Sequence, residues 1–112
     1  MPYIDSKTDR REKLRCGESA LIAGELNYQI FSYVKHGGFD KEIIRFFVKR
    51  FLGDKPNYQR YNDMTGALVR CAKEINRRLK LNANFLLDVM ESYNDEIAKY
   101  EDKKIISNGD VE

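Results

Sequence analysis

Residues that commonly carry catalysis or covalent cross-links are scarce in this sequence. Its 112 residues include no tryptophan, one histidine, two cysteines and two prolines. The single His36 and the widely separated Cys16 and Cys71 have no zinc-binding spacing. No glycine-rich phosphate loop and no nucleophile-elbow motif occurs. We therefore predict no metal site and no cofactor. The sequence favours a protein that is not an enzyme, although it leaves catalysis open.

Long apolar runs are also missing. None approaches the roughly 20 residues that cross a bilayer. The start Met1-Pro2-Tyr3-Ile4-Asp5 lacks the basic-then-apolar order of a signal peptide. We expect a cytoplasmic protein that does not associate with membranes, and in that compartment both cysteines remain thiols.

The small net charge of +2 conceals an uneven distribution along the chain. Residues 41–80 carry eleven basic and four acidic side chains, whereas residues 81–112 carry three basic and eight acidic ones. A basic middle and an acidic end indicate either a polyanion site or two segments that pack against each other.

Apolar residues recur at helical spacing through most of the chain, and no strand pattern of useful length appears. The predicted fold is therefore all-α, a compact bundle of about five helices in a single domain of residues 1–112. The predicted helices cover about residues 6–16, 23–36, 41–52, 58–80 and 85–103. Asp40 and Asn57 are the expected N-caps of the third and fourth helices.

The last two predicted helices are joined by only a few residues, which predicts a long antiparallel C-terminal hairpin. Because one helix is acidic and the other basic, part of the charge asymmetry is expected to be internal pairing. Residues 104–112 lack periodicity and predict an irregular C-terminal tail. The third helix has too many apolar positions for one buried stripe, which predicts either a central helix or a homo-oligomer interface.

A polar stripe on the fourth helix is a candidate binding surface. Spacings of three and four place five residues on one face, with Arg78 and Lys80 beside them: Asn62, Gly66, Arg70, Lys73 and Arg77. Arginine forks and lysine charges on one face are typical of a site for a nucleotide or a nucleic-acid backbone. Gly66 is expected to give a ligand or a neighbouring helix close access. A merely solvated face is the alternative interpretation.

Several different short motifs are distributed along the whole chain. They are Met1-Pro2-Tyr3-Ile4, Ala23-Gly24-Glu25-Leu26-Asn27-Tyr28, Tyr61-Asn62-Asp63-Met64-Thr65-Gly66-Ala67-Leu68, Cys71-Ala72-Lys73-Glu74 with Arg77-Arg78, Tyr100-Glu101-Asp102-Lys103-Lys104-Ile105 and Asn108-Gly109-Asp110-Val111. Together they resemble a family of small uncharacterised phage proteins. The resemblance implies a phage origin and a host-cytosol setting but no reaction. It also implies that the tail is docked, because the terminal motif is among the most specific matches.

Polar residues of these motifs and of the stripe are expected to converge if the family shares a site. The candidate ligand-binding residues are Glu25, Asn27, Tyr28, Asn62, Asp63, Arg70, Lys73, Arg77, Arg78 and Asp110. We expect a phage accessory protein that binds a host protein or a small anionic ligand such as a nucleotide, in host takeover or counter-defence.

Two other functional classes stay open. One is a nucleic-acid-binding protein that uses the basic residues 41–80, which the acidic C-terminal end disfavours. The other is a carboxylate- or metal-dependent enzyme that acts on nucleotides.

Overall fold

The computed structural model describes the backbone of residues 9–108 and the side chains of residues 9–102. Within that range the chain is all-α, as predicted, and no strand occurs. The helices are α1 (Arg10–Arg15), α2 (Ala23–Lys35), α3 (Lys41–Leu52), α4 (Tyr58–Glu74), α5 (Asn84–Glu91) and α6 (Asn94–Asn108), and a π-helical segment (Ile75–Leu79) continues α4.

Local signals set most helix ends. The side chains of Asp40 and Asn57 accept hydrogen bonds from the backbone N–H groups of Glu42 and Arg60, both at 2.9 Å, so both predicted N-caps are confirmed. Gly53 follows α3 with a φ of 78°, a conformation that glycine adopts without strain. The first helix begins at Arg10 rather than at Ser6, which lies outside the described residues.

The core lies between α2, α3 and α4, and α5 closes it. Apolar side chains at helical spacing fill it: Leu26, Ile30, Val34, Ile44, Val48, Phe51, Met64, Leu68, Cys71, Ile75, Leu86 and Val89. Burial raises the pKa of the Cys71 thiol to about 12, while Cys16 is exposed, and neither is in a disulfide.

Helix α3 is buried on one face only. Phe47 and Val48 point into the core, whereas Ile43 is 38% exposed and Phe46 is 48% exposed. The helix is therefore not fully enclosed. Ile43 and Phe46 are available for contact with another subunit, and the homo-oligomer interface stays a prediction.

The C-terminal arm departs from the predicted single helix over residues 85–103. Ser92 interrupts it, because its hydroxyl donates to the carbonyl of Val89 at 2.5 Å and its backbone N–H is shared between two carbonyls of the preceding turn. The arm still runs antiparallel to α4. Near one end, the Ala83 backbone N–H donates a hydrogen bond to the Asn76 side-chain oxygen. At the other end, the Tyr100 hydroxyl donates to the carbonyl of Pro56.

The predicted irregular tail begins later than expected. Helix α6 continues to Asn108, so residues 104–108 are helical rather than irregular. The predicted docking of the tail concerns side chains that lie outside the described residues.

The expected pairing between the acidic and basic arms is not present among the described side chains. The ion pair that reaches α5 comes from α3 instead, where Lys41 Nζ lies 2.9 Å from Asp88 Oδ2. Among the described side chains, the basic residues of α4 therefore form no ion pair with α5 or α6. Surface pairs of this kind contribute about 0–1 kcal/mol.

Two glycines differ in what surrounds them. Apart from the backbone of its own helix, no atom of the described residues lies within 4 Å of a Cβ atom placed at Gly66, so no neighbouring helix approaches there. Close access for a ligand stays a prediction. A methyl group at Gly38 would instead overlap the ring of Tyr33. That ring is fixed, because its hydroxyl accepts a 3.1 Å hydrogen bond from the Asp40 backbone N–H and its edge meets Phe47.

These surroundings predict opposite effects on stability. Gly66→Ala is expected to raise the free energy of unfolding by about 0.5–1 kcal/mol, because alanine favours the helix and nothing obstructs its methyl group. Gly38→Ala is expected to lower it by about 1–3 kcal/mol, because the Tyr33 ring must move. Urea unfolding of both variants measures the two values. A destabilising Gly66→Ala, or a neutral Gly38→Ala, would contradict this packing.

Candidate functional site

Arg10 joins α1 to the start of α2. Its Nε and Nη2 atoms donate to the two carboxylate oxygens of Glu25 at 2.8 and 2.7 Å, and Nη1 donates to Glu18 at 2.7 Å. Nη2 also donates to the carbonyl of Ser19 at 2.9 Å. The hydrogen bond from Arg10 lowers the pKa of Glu25, and the same bond raises the pKa of Arg10. Both groups therefore remain charged in the fold.

A second contact comes from the buried side chain of Gln29. Its Nε2 donates to the carbonyls of Leu14 and Glu18, at 2.7 and 2.9 Å. Both partners are acceptors, so the orientation of the amide is determined. With Arg10, this contact fixes the end of α1 against α2. Arg11 and Arg15, one turn apart, then lie beside α2.

A cleft of about 440 Å³ forms where α1, α2 and the end of α4 meet. Among the described residues, its wall carries four cationic side chains from three segments of the chain and one carboxylate. The lining residues are Arg11, Arg15, Asn27, Tyr28, Phe31, Ser32, Lys35, His36, Glu74 and Arg78.

Two aromatic rings of α2 position the arginines. The guanidinium carbon of Arg11 lies 5.4 Å from the centre of the Tyr28 ring, and that of Arg78 lies 5.0 Å from the centre of the Phe31 ring. Arg15 donates to the hydroxyl of Tyr28 at 2.7 Å. These contacts restrain long side chains before any ligand arrives, which reduces the entropy lost on binding.

Glu74 is the acidic member of the cleft wall, and it has a basic partner. Arg77 Nη2 donates to its carboxylate at 2.8 Å, which lowers the pKa of Glu74. Lys35 and Arg78 form no ion pair with another described residue. The cleft therefore carries an excess of positive charge.

A smaller cavity of about 320 Å³ adjoins the cleft and shares Arg15, Ser32 and His36 with it. His36 Nδ1 lies 2.7 Å from the carbonyl of Ser32, so that nitrogen carries the proton. Gln29 lines this cavity, and its Oε1 atom has no hydrogen-bond donor among the described residues.

The structure brings three of the predicted site residues together. Asn27, Tyr28 and Arg78 line the cleft, and Arg77 reaches its rim through Glu74. Arg70 is exposed one turn before Glu74 on α4 and does not line the cleft.

The other predicted residues lie elsewhere. Glu25 belongs to the Arg10 contact rather than to the cleft, and Lys73 is exposed outside it. Asn62 and Asp63 lie about three turns from Glu74, roughly 18 Å along α4. These residues therefore do not meet Asn27, Tyr28 and Arg78 at the cleft, and Asp110 lies outside the described part of the chain.

Sequence reasoning missed the contribution of α1 and the end of α2. Arg11, Arg15 and Lys35 lie in residues 1–40, whose six basic and six acidic side chains sum to zero. That sum hides the cleft because it ignores position: Glu18 and Glu25 are bonded to Arg10 and do not line the cleft. The available signal was the spacing of four between Arg11 and Arg15, which places both on one helix face.

Two further features are absent from the described residues. No three histidine, cysteine or acidic side chains among them cluster as a metal site would require. No described helix has the length and hydropathy needed to span a membrane.

The Arg10 contact predicts a specific loss of stability. Glu25→Gln is expected to lower the free energy of unfolding by about 1.5–3 kcal/mol at neutral pH, because it removes a charge-assisted hydrogen bond. Glu18→Gln is the matched control, and its exposed carboxylate predicts a loss below about 1 kcal/mol. Urea unfolding of both variants provides the comparison.

The pH dependence follows from the lowered pKa of Glu25. Its stabilising effect is complete above the ordinary pKa of glutamic acid and disappears as pH falls through the lowered folded-state value. The difference between the wild type and Glu25→Gln should therefore shrink in acid. A difference that grows in acid would contradict the assignment.

Comparison with known proteins identifies the family of this chain. No curated protein and no solved structure matches this chain. Residues 1–111 match a family described as a domain of unknown function, DUF6899. The resemblance to an uncharacterised family is therefore confirmed, while the phage origin that it implies stays a prediction. Because the match covers nearly the whole chain, this protein belongs to the DUF6899 family.

Proposed function

We propose that this protein acts by binding a small anionic ligand of the nucleotide class in the cleft between α1, α2 and the π-helical segment. The observation that carries the proposal is the meeting of four cationic side chains from three segments around two aromatic rings. Such a concave site differs from a solvated basic helix face, because charges separated in the chain converge on one volume.

The cleft matches the chemistry of a phosphate group attached to a larger organic body. Guanidinium groups donate in pairs to phosphate oxygens, and Lys35 adds a point charge. Asn27 and Ser32 offer polar groups for the rest of the ligand, and the edges of Tyr28 and Phe31 offer apolar contact. The volume of about 440 Å³ lies within the range of small-molecule sites.

A nucleic-acid partner is less well supported by the same geometry. The exposed basic residues of α4, such as Arg70 and Lys73, lie outside the concave cleft. The C-terminal arm adds acidic residues that repel a polyanion. A duplex requires a broad basic surface, whereas a compact anion requires a small one.

The cellular setting is part of the proposal. The resemblance to phage proteins supports a role as an accessory protein in the cytosol of an infected host, where binding takes the place of catalysis. The exposed Ile43 and Phe46 on α3 support self-association. Neither property is needed for the cleft to bind its ligand.

The test is ligand-induced thermal stabilisation with a panel of nucleoside mono-, di- and triphosphates, followed by calorimetric titration of any ligand that stabilises. Arg78→Gln is expected to weaken binding about 10- to 100-fold, because it removes a charged donor from the cleft. Its own melting temperature should stay near that of the wild type, since Arg78 is exposed.

Arg70→Gln is the matched control, because it removes the same charge from α4 outside the cleft. It is expected to leave nucleotide affinity within about two-fold of the wild type. The proposal fails if no nucleotide stabilises the protein. It also fails if Arg70→Gln weakens binding as much as Arg78→Gln does. DNA binding that falls steeply with salt would favour the nucleic-acid alternative.

A further inference from the structure

A second cleft lies on the opposite end of α4, where α6 returns to the start of that helix. It has a volume of about 510 Å³ and is lined by Pro56, Tyr61, Glu96, Lys99, Tyr100 and Asp102. It shares no residue with the arginine-lined cleft. Its lining is aromatic and acidic rather than basic.

Two tyrosine rings line the cleft, those of Tyr61 and Tyr100, and Tyr93 packs against Tyr61 outside the described lining. The centre of the Tyr61 ring lies 5.5 Å from that of Tyr100 and 6.2 Å from that of Tyr93. The rings are inclined to one another by 44° and 51°, so they do not stack flat. The Tyr100 hydroxyl donates to the carbonyl of Pro56 at 2.7 Å, which fixes the ring of α6 at the start of α4.

The described charged residues around these rings include more acids than bases. Glu96 and Asp102 are exposed, and neither forms an ion pair with another described residue. Lys99 is the opposing charge among the described lining residues, whose formal charges sum to −1.

The surroundings also change the pKa values of Tyr61 and Tyr93. Burial raises the pKa of Tyr61, and the neighbouring Tyr100 and Glu96 raise it further. Burial also raises the pKa of Tyr93, where Arg45 acts in the opposite direction and Glu96 reinforces the rise. The raised pKa values keep the phenols of Tyr61 and Tyr93 neutral, and the face of an aromatic ring carries the negative potential that attracts cations.

We propose that this tyrosine-lined cleft binds an organic cation, a quaternary ammonium or guanidinium group, with Glu96 and Asp102 at its mouth. A weakly hydrated cation of this kind gains from aromatic faces, whereas a small metal ion needs several oxygen ligands. The group comes either from a free small molecule or from a basic side chain of a partner protein. The site operates independently of the proposed anion cleft.

Nuclear magnetic resonance of the tyrosine rings tests this site on the intact chain. Tetramethylammonium chloride is titrated against sodium chloride at equal ionic strength. We expect saturable shifts of the Tyr61 and Tyr100 ring signals with tetramethylammonium alone. Shifts that sodium chloride reproduces, or no saturable shift with any organic cation, would overturn the proposal.

Charge variants separate the site from general electrostatics. Glu96→Gln is expected to weaken binding about five-fold, and Lys99→Gln to strengthen it by a similar factor, because each changes one charge in the cleft. Asp95→Asn is the matched control, an exposed acid next to Glu96 that does not line the cleft. Equal effects of Glu96→Gln and Asp95→Asn would overturn the assignment.

Ring variants test the aromatic contribution. Tyr100→Phe keeps the ring and is expected to keep binding, whereas Tyr100→Leu is expected to remove it. Circular dichroism of both variants confirms that the helices are retained. If Tyr100→Leu lowers helix content, Glu96→Gln and Lys99→Gln still decide the proposal.

A second titration identifies the source of the cation. A short arginine-containing peptide is compared with its alanine counterpart and with tetramethylammonium. Saturation by the arginine peptide alone assigns the site to a basic side chain of a partner. Saturation by tetramethylammonium alone assigns it to a small quaternary ammonium compound. Failure of both probes overturns the proposal.

Discussion

The guanidinium group of Arg10 is the contact on which the N-terminal part of the molecule depends. It ties Glu25, Glu18 and the carbonyl of Ser19 to one centre, and so it fixes a helix of only six residues that has little stability of its own. It also holds two carboxylates away from the cleft and neutralises one of their two charges. Because it fixes α1 against α2, Arg11 and Arg15 line the cleft, where they contact the ring and the hydroxyl of Tyr28.

Features encoded within a few residues were predictable from the sequence. The apolar spacing gave the helical class and the extents of α2 and α3, because a buried face must recur with the helical period. Asp40 and Asn57 were recognised as caps, because their effect acts on the next turn of the chain. Asn27, Tyr28 and Arg78 were named as candidates and do line the cleft, although the stripe of α4 that suggested Arg78 extends away from it.

Features that depend on contacts between distant segments were not predictable. Glu25 became a candidate through its place in a family motif, and counting charges by thirds of the chain overlooked Arg15. Neither a motif nor a charge sum shows which acid meets which base. Ser92 breaks the last helix through its own hydroxyl, whereas the apolar repeat continues across it. The basic and acidic arms do lie side by side, but complementary composition did not produce ion pairs between them among the described side chains.

The π-helical segment at Ile75–Leu79 has a consequence for comparing this chain with its relatives. A turn closed by bonds to the fifth residue holds one residue more than an α-helical turn, so it changes the angular position of every side chain that follows. The direction in which Arg78 points is thus determined by the number of residues in the turn as well as by their identity. A relative that lacks one residue here would place its arginine one position out of register, and a column-by-column alignment would pair residues that do not occupy equivalent positions in space.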